Sequence, residues 1–212
     1  MRFFELAFTE KVTAAQLANG IDHYAKRATQ DSPPDRLGPS EQHFIRTRDS
    51  FFMATVSETG WPYVQHRGGP VGFVKVLDET RFAIPDYRGN RQYVSLGNLA
   101  SDDRAALFMV DYPQRARLKL LTRVAAVSVD DDPALLEQVT EPEYRAKIER
   151  ILVFTVEALD WNCPQHITPR FTEAEIQAAI APINNQLEAM RAELKRRGMS
   201  DAEITALVPE ED

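Results

Sequence analysis

Between residues 50 and 159 the apolar residues fall into short runs broken by tight turns, and this period constrains the fold more than any other feature of the chain. Residues 51–56 form an apolar, strand-like run, Glu58-Thr59-Gly60 supplies a turn, and residues 61–67 read as the return strand, with Pro62 tolerated at its start. Further strands are predicted at 73–77, 81–84, 105–111, 118–129 and 148–159. Asp78-Glu79 is one short interruption; Asp86-Tyr-Arg-Gly-Asn90 is another, leading into a helix over 91–99. Closely spaced strands with one central helix predict a mainly β chain with flanking helices, folded as a six-stranded antiparallel barrel and not as a doubly wound sheet.

The ends of the chain have a different period. Near the N-terminus Thr13-Ala-Ala-Gln16 has capping-box spacing, and Leu17, Ile21, Tyr24 and Ala28 recur at helical intervals. Asp31-Ser-Pro-Pro-Asp35 breaks regular structure, and Ser40 is placed to cap a short helix over 41–48. In the C-terminal segment Thr172-Glu-Ala-Glu175 is a second capping box. Ile176, Ile180, Ile183, Leu187, Met190 and Leu194 then alternate spacings of four and three, a coiled-coil-like stripe. Pro182 is expected to kink this helix or restart it, and Gly198 to end it. The stripe fits either a helix packed on its own barrel or one between subunits. The expected organisation is an N-terminal helical extension (1–39), a barrel (40–171) and a C-terminal helical segment (172–212).

Composition excludes several classes. With 212 residues, 43% of them hydrophobic, the chain has enough apolar material for one core plus attached helices but not for two full domains. A net charge of -7 gives no reason to expect a nucleic-acid partner. The lone Cys163 rules out an intrachain disulfide framework and a cysteine-based zinc site, and it is expected to be buried and inert. His23, His43, His66 and His166 show no metal-ligand pairing, so no metal is expected. No basic leader precedes an apolar run and no apolar stretch suits a membrane span, so the expected setting is the cytoplasm, without membrane partners.

Chemistry concentrates between Gln65 and Leu99. In Arg88-Gly-Asn-Arg91 the arginines flank a glycine just before a predicted helix, whose free N–H groups suit a phosphate. The alternative is an exposed basic turn. Arg67-Gly-Gly-Pro70 lacks dinucleotide-fingerprint spacing; it reads as a strand break where the backbone passes close to something flat, or as a strained turn with no ligand. No nucleophile elbow or P-loop is present, and the acids at 102–103 and 130–132 read as turn residues.

These residues resemble the pyridoxamine 5'-phosphate oxidase-like family of FMN-binding split β-barrels. The likeness runs over about 41–171 and rests on Gly60-Trp-Pro62, on Gln65-His66-Arg67, and on Ile84-Pro85-Asp86-Tyr87-Arg88-Gly89-Asn90-Arg91. Aligned on Tyr87, the family's two basic phosphate ligands fall at Asn90 and Arg91, so one is a neutral amide here and Arg88 is the substitute donor. Asn98-Leu-Ala followed by residues 102–108 is similar to the family's helix end and following strand. Arg117, Lys119 and Arg123 fall where the next strand contributes flavin contacts. Trp161 and Arg170 are similar in spacing to a Trp and an Arg that approach the flavin from the partner subunit. The residues by which pyridoxamine phosphate oxidase grips its substrate phosphate have no match, which implies a divergent branch and not that enzyme.

The resemblance implies a homodimer with FMN at the subunit interface. Gln65, His66 and Arg67 would lie at the ring edge, Lys75 near the flavin or in solvent, and His66 would be the candidate for proton handling. It implies flavin-mediated electron or hydride transfer with NAD(P)H or a small molecule as the exchanging partner. The alternative is a non-catalytic protein that carries flavin, haem or deazaflavin.

Overall fold

A computed structural model of the chain describes residues 2–24 and 31–207. The elements in chain order are α1 (Arg2–Ala7), α2 (Glu10–Ala18), α3 (Pro39–Arg46), β1 (Ser50–Val56), β2 (Pro62–Gly68), β3 (Lys75–Val76), β4 (Arg81–Tyr87), α4 (Val94–Ser101), β5 (Arg104–Asp111), β6 (Ala116–Ser128), α5 (Pro133–Val139), β7 (Ile148–Trp161), α6 (Glu173–Arg196) and α7 (Asp201–Ala206). They form two compact units, one up to Ile167 and one from Thr168 onward.

The first unit is built on one antiparallel sheet of seven strands in the order β2-β1-β5-β6-β7-β4-β3. The sequence marks seven strand-like runs for an expected six-stranded barrel, and all seven are paired, the 73–77 run only as β3, a two-residue ladder of Lys75 and Val76 on the edge of β4. Phe73 and Val74 are buried beside it and contribute side chains to the core instead of ladder hydrogen bonds.

Period-two alternation sets the inner face. Phe51, Met53 and Thr55 of β1 are buried, as are Leu107 and Met109 of β5 and Leu118 and Leu120 of β6. Phe82 and Phe154 stack across β4 and β7 with centroids 4.9 Å apart, and Phe51 stacks on Phe73 at 6.0 Å. Helix α3 is held by Arg48, just past its end, which pairs with the buried Asp111 at 2.6 Å and donates to the Val110 carbonyl.

Several boundaries differ from the sequence expectation for local reasons. Thr9, not Thr13, caps α2, and the helix ends at Asn19 before Gly20 at φ 75°, so Ile21 and Tyr24 lie beyond it. Ala28 is outside the described residues. Helix α3 begins at Pro39, whose missing N–H costs nothing at the first helical position, so Gly38 and not Ser40 is the cap. Asp132, read as a turn acid, accepts from the Leu135 N–H and caps the unexpected α5.

The Arg67-Gly-Gly-Pro70 break is explained internally. A Cβ on Gly69 would lie 2.8 Å from Phe73 Cγ, so the flat object against the backbone is the Phe73 ring. Cys163 is exposed, which corrects the expectation of a buried thiol; its segment lies past the end of β7, outside the sheet.

In the second unit, α6 has the expected capping box, with Thr172 and Glu175 bonding each other's backbone N–H. The helix runs through Pro182 without a break. Among the described residues no helix is long and apolar enough to cross a membrane.

Candidate cofactor site

A cavity of about 190 Å³ opens where the ends of β2, β4 and β7 meet the loop before α4. Gln65 and Arg67 reach it from β2, Asp86 and Tyr87 from β4, Gly89, Asn90 and Arg91 from the loop, Tyr93 and Leu96 from the helix start, and Glu149 and Arg150 from β7.

Asp86 is its centre. It is 7% exposed, at the point where β4 and β7 slip register, and it opposes Arg150 in the ladder. Its two oxygens accept separately from Arg67 and from Arg150 Nη1, the latter at 2.5 Å. A shared carboxylate thus fixes two guanidiniums that would otherwise repel each other. The Arg150 guanidinium also lies 5.1 Å from the Tyr93 ring centroid, a cation–π contact. Arg67 keeps a buried Nε with no hydrogen-bond partner.

A second cluster forms the wall. Glu149 accepts from Arg88 Nε at 2.7 Å and from the Tyr93 hydroxyl at 3.0 Å. The Arg88 hydrogen bond, aided by that of Tyr93, holds the Glu149 carboxyl below its ordinary value against some desolvation. Gln65 Oε1 accepts from the buried Ser95 hydroxyl at 2.7 Å, leaving Nε2 as the donor of that amide. Burial, reinforced by Glu141 and Tyr144, pushes the Tyr87 phenol up to about 12, and its hydroxyl has no partner.

The loop itself is strained. Arg91 and Tyr93 have φ 62° and 54°, in the left-handed region, and Asn90 Oδ1 accepts from the Gln92 N–H between them. Left-handed residues cannot continue a right-handed helix, so α4 starts at Val94 and not at Arg91. Arg91 is exposed and makes no ion pair among the described residues. Four guanidiniums (Arg67, Arg88, Arg91, Arg150) against two carboxylates (Asp86, Glu149) leave an excess of two positive charges around the cavity.

The structure therefore gathers Gln65, Arg67, Asp86, Tyr87, Asn90 and Arg91, with Arg88 joined through Glu149 and Pro85 buried one residue back on β4. The other candidates lie elsewhere. His66 points to the opposite face of β2 from Arg67 and sits edge-on to Phe52 at 5.7 Å. Arg117 and Lys119 occupy that same outer face through β6, with Lys119 3.6 Å from Asp160 and Arg117 Nε buried without a partner. Lys75 pairs with Glu141. Trp161 donates to Glu41 at 2.6 Å and packs edge-on to Phe44. Arg170 belongs to the second unit. Glu149, Arg150 and Tyr93 are members of the site that sequence reasoning missed. Their signal was the charged pair opening the 148–159 strand, which means nothing until β7 is paired with β4.

The family model for pyridoxamine 5'-phosphate oxidase matches residues 37–162, more than half of the chain, and the chain belongs to that family. Its antiparallel sheet with flanking helices is consistent with that family's split barrel. Among curated proteins none matches this sequence. Similar solved structures include HupZ of Group A Streptococcus (12% identity, TM-score 0.47, covering 63% of this chain and 98% of that one). A pyridoxamine 5'-phosphate oxidase homologue from Lactobacillus delbrueckii has 18% identity and a TM-score of 0.45, covering 59% and 93%. An FMN-binding protein from Syntrophomonas wolfei has 10% identity and a TM-score of 0.43, covering 57% and 86%.

Proposed function

We propose that the protein is a cytoplasmic, homodimeric FMN-binding oxidoreductase whose cavity at Arg67, Arg91 and Arg150 holds the cofactor's phosphate. The observation that carries this reading is the excess of two positive charges, which matches a phosphate dianion. The orphaned Arg67 Nε and the unpaired Arg91 guanidinium are donors in search of an acceptor. Asp86 would orient Arg67 and Arg150, and Glu149 would orient Arg88 and Tyr93, so the donors are placed before the anion arrives. Gln65 Nε2 would bond the cofactor beyond its phosphate. FMN supplies hydride or electron transfer when bound.

A volume of about 190 Å³ takes a phosphate tail but falls short of the roughly 300–1,000 Å³ of pockets that enclose a whole cofactor. A second copy would complete the site. The outer face of β2, β1, β5 and β6 carries Phe52, Ala54, Val56, Val64, Ala106, Phe108 and Leu121 in register, with Phe52 40% and Val64 61% exposed. An apolar sheet face of this kind suits an isologous dimer. It would bring His66, Arg117 and Lys119 to the boundary between subunits.

One observation favours a non-catalytic carrier of flavin, haem or deazaflavin. Both cavity carboxylates are engaged by paired cations, and the imidazole of His66 faces away, so among the described residues no free carboxylate or imidazole lines the cavity, only the Tyr87 phenol. The absorption spectrum of the purified protein, followed by addition of NADH or NADPH, separates the readings. A flavin spectrum that bleaches supports the oxidoreductase; a flavin spectrum that no nicotinamide bleaches favours the carrier; a protein that takes up no added FMN overturns both flavin readings.

A further inference from the structure

Helix α6 carries an apolar stripe that its own unit leaves largely uncovered. Ile176, Ile180, Ile183, Leu187 and Met190 are 49%, 37%, 58%, 48% and 56% exposed, and Leu194 continues the row half-buried. The spacing of four, three, four, three, four is the a/d seam of a heptad repeat, and it reads the same from either end. A palindromic seam is complementary to itself when two copies run in opposite directions.

We infer that α6 pairs with α6 of a second copy of this chain as an antiparallel two-helix coil. In that register Ile176 faces the second copy's Leu194, Ile180 its Met190 and Ile183 its Leu187. All six seam residues find apolar partners about one two-fold axis.

Charge selects the direction. The first turn of α6 holds Glu173 and Glu175, and its last turn holds Lys195 and Arg196, followed by Arg197. Antiparallel pairing sets Glu173, in line with the seam, against the second copy's Arg197 and brings the acidic first turn beside the basic last turn, and it aligns the two helix dipoles head to tail. Parallel pairing would stack acid on acid and base on base. These groups now make exposed local contacts: Glu175 in the capping box, Lys195 with Asp201, and Arg196 and Arg197 with Glu193. Such surface pairs are weak enough to share or exchange. Along the flanks, Asn184 and Gln186 meet their own copies, Gln177 meets Arg191 and Ala179 meets Glu193, so no like charges oppose. Pro182 falls outside the seam residues, and its missing N–H leaves the apolar row intact.

The test uses the full chain carrying Cys163→Ser, which removes the one native thiol, itself exposed. Ile180→Cys and Met190→Cys are placed on chains with different tags, expressed singly and together, and mildly oxidised. The expected result is a disulfide between the two differently tagged chains, persisting on dilution, with little linkage of either chain to itself, because facing seam positions come within bonding distance. Adding Leu187→Asp, in the middle of the seam, should abolish the link. Absence of linkage in the mixture would show that the stripe is covered by something else. Self-linkage of the single variants would show a parallel pair. Either result overturns the inference, whatever the flavin content of the protein.

Discussion

Arg91 holds a backbone conformation that favours glycine, yet it presents an unpaired guanidinium at the cavity mouth. Strain of this kind is retained where the side chain is needed. Two effects of Arg91→Gly should therefore move in opposite directions. Relief of the left-handed φ should stabilise the protein by up to about 1 kcal/mol, while loss of a charged hydrogen bond should cost about 1.5–3 kcal/mol of FMN affinity, a weakening of roughly 10- to 150-fold. Thermal unfolding without ligand and FMN titration measure the two separately, and a variant that binds FMN as well as the parent would refute the assignment. Tyr87 supplies a pH signature. Its phenol titrates near 12 in the fold against 10 in an exposed chain, so the folded state holds this proton more tightly. The associated stability is complete below pH 10 and is lost as pH rises toward 12. Tyr87→Phe should flatten that part of the melting-temperature profile.

At the scale of elements, the break after β2 and the bulge in β4 set the geometry of the site. Gly69→Ala would place a methyl against the Phe73 ring, which is 1% exposed and has no room to yield. We expect a loss of about 1–3 kcal/mol, read as a melting-point drop of several degrees. Asp86→Ala would strand Arg67 and Arg150 in a half-buried setting and should cost roughly 3–5 kcal/mol. An unchanged melting point would mean that the two arginines do not depend on Asp86. The strands were legible as short apolar runs such as 51–56 broken by tight turns, though not which of Phe51, Met53, Thr55 or Phe52, Ala54, Val56 would face the core, since both sets are largely apolar; the α6 start was legible in the Thr172–Glu175 capping box. The site was legible only along one segment. Asp86, Tyr87, Asn90 and Arg91 are neighbours or near-neighbours in sequence and Arg67 lies 19 residues before Asp86, whereas Arg150 meets Asp86 across 64 residues and through a register shift. His66 is not at the cavity with Arg67, its neighbour in sequence, because strand alternation turns it to the other face of β2. Left-handed Tyr93 has no sequence signal of the kind a glycine gives, so the helix start was read three residues early.

At the scale of the molecule, one chain offers a cavity of about 190 Å³ and a partly exposed apolar sheet face, and the proposed dimer would answer both. Val64→Glu would put a charge on the edge strand of that face, opposite Ala54 and 61% exposed in the single chain, so the fold should survive. In a chain that also carries Leu187→Asp, so that the α6 pair cannot hold two copies together, sedimentation should then report monomers, and the flavin content should fall with the dimer. A dimer that persists with full flavin would remove the sheet face from the account. The central claim is that the excess positive charge around Asp86 exists to hold a phosphate. Calorimetric titration with FMN and with riboflavin, which differ only by that phosphate, tests it most directly. Two charge-assisted hydrogen bonds of about 1.5 kcal/mol each predict FMN binding about a hundredfold tighter; equal affinities for the two would contradict the account.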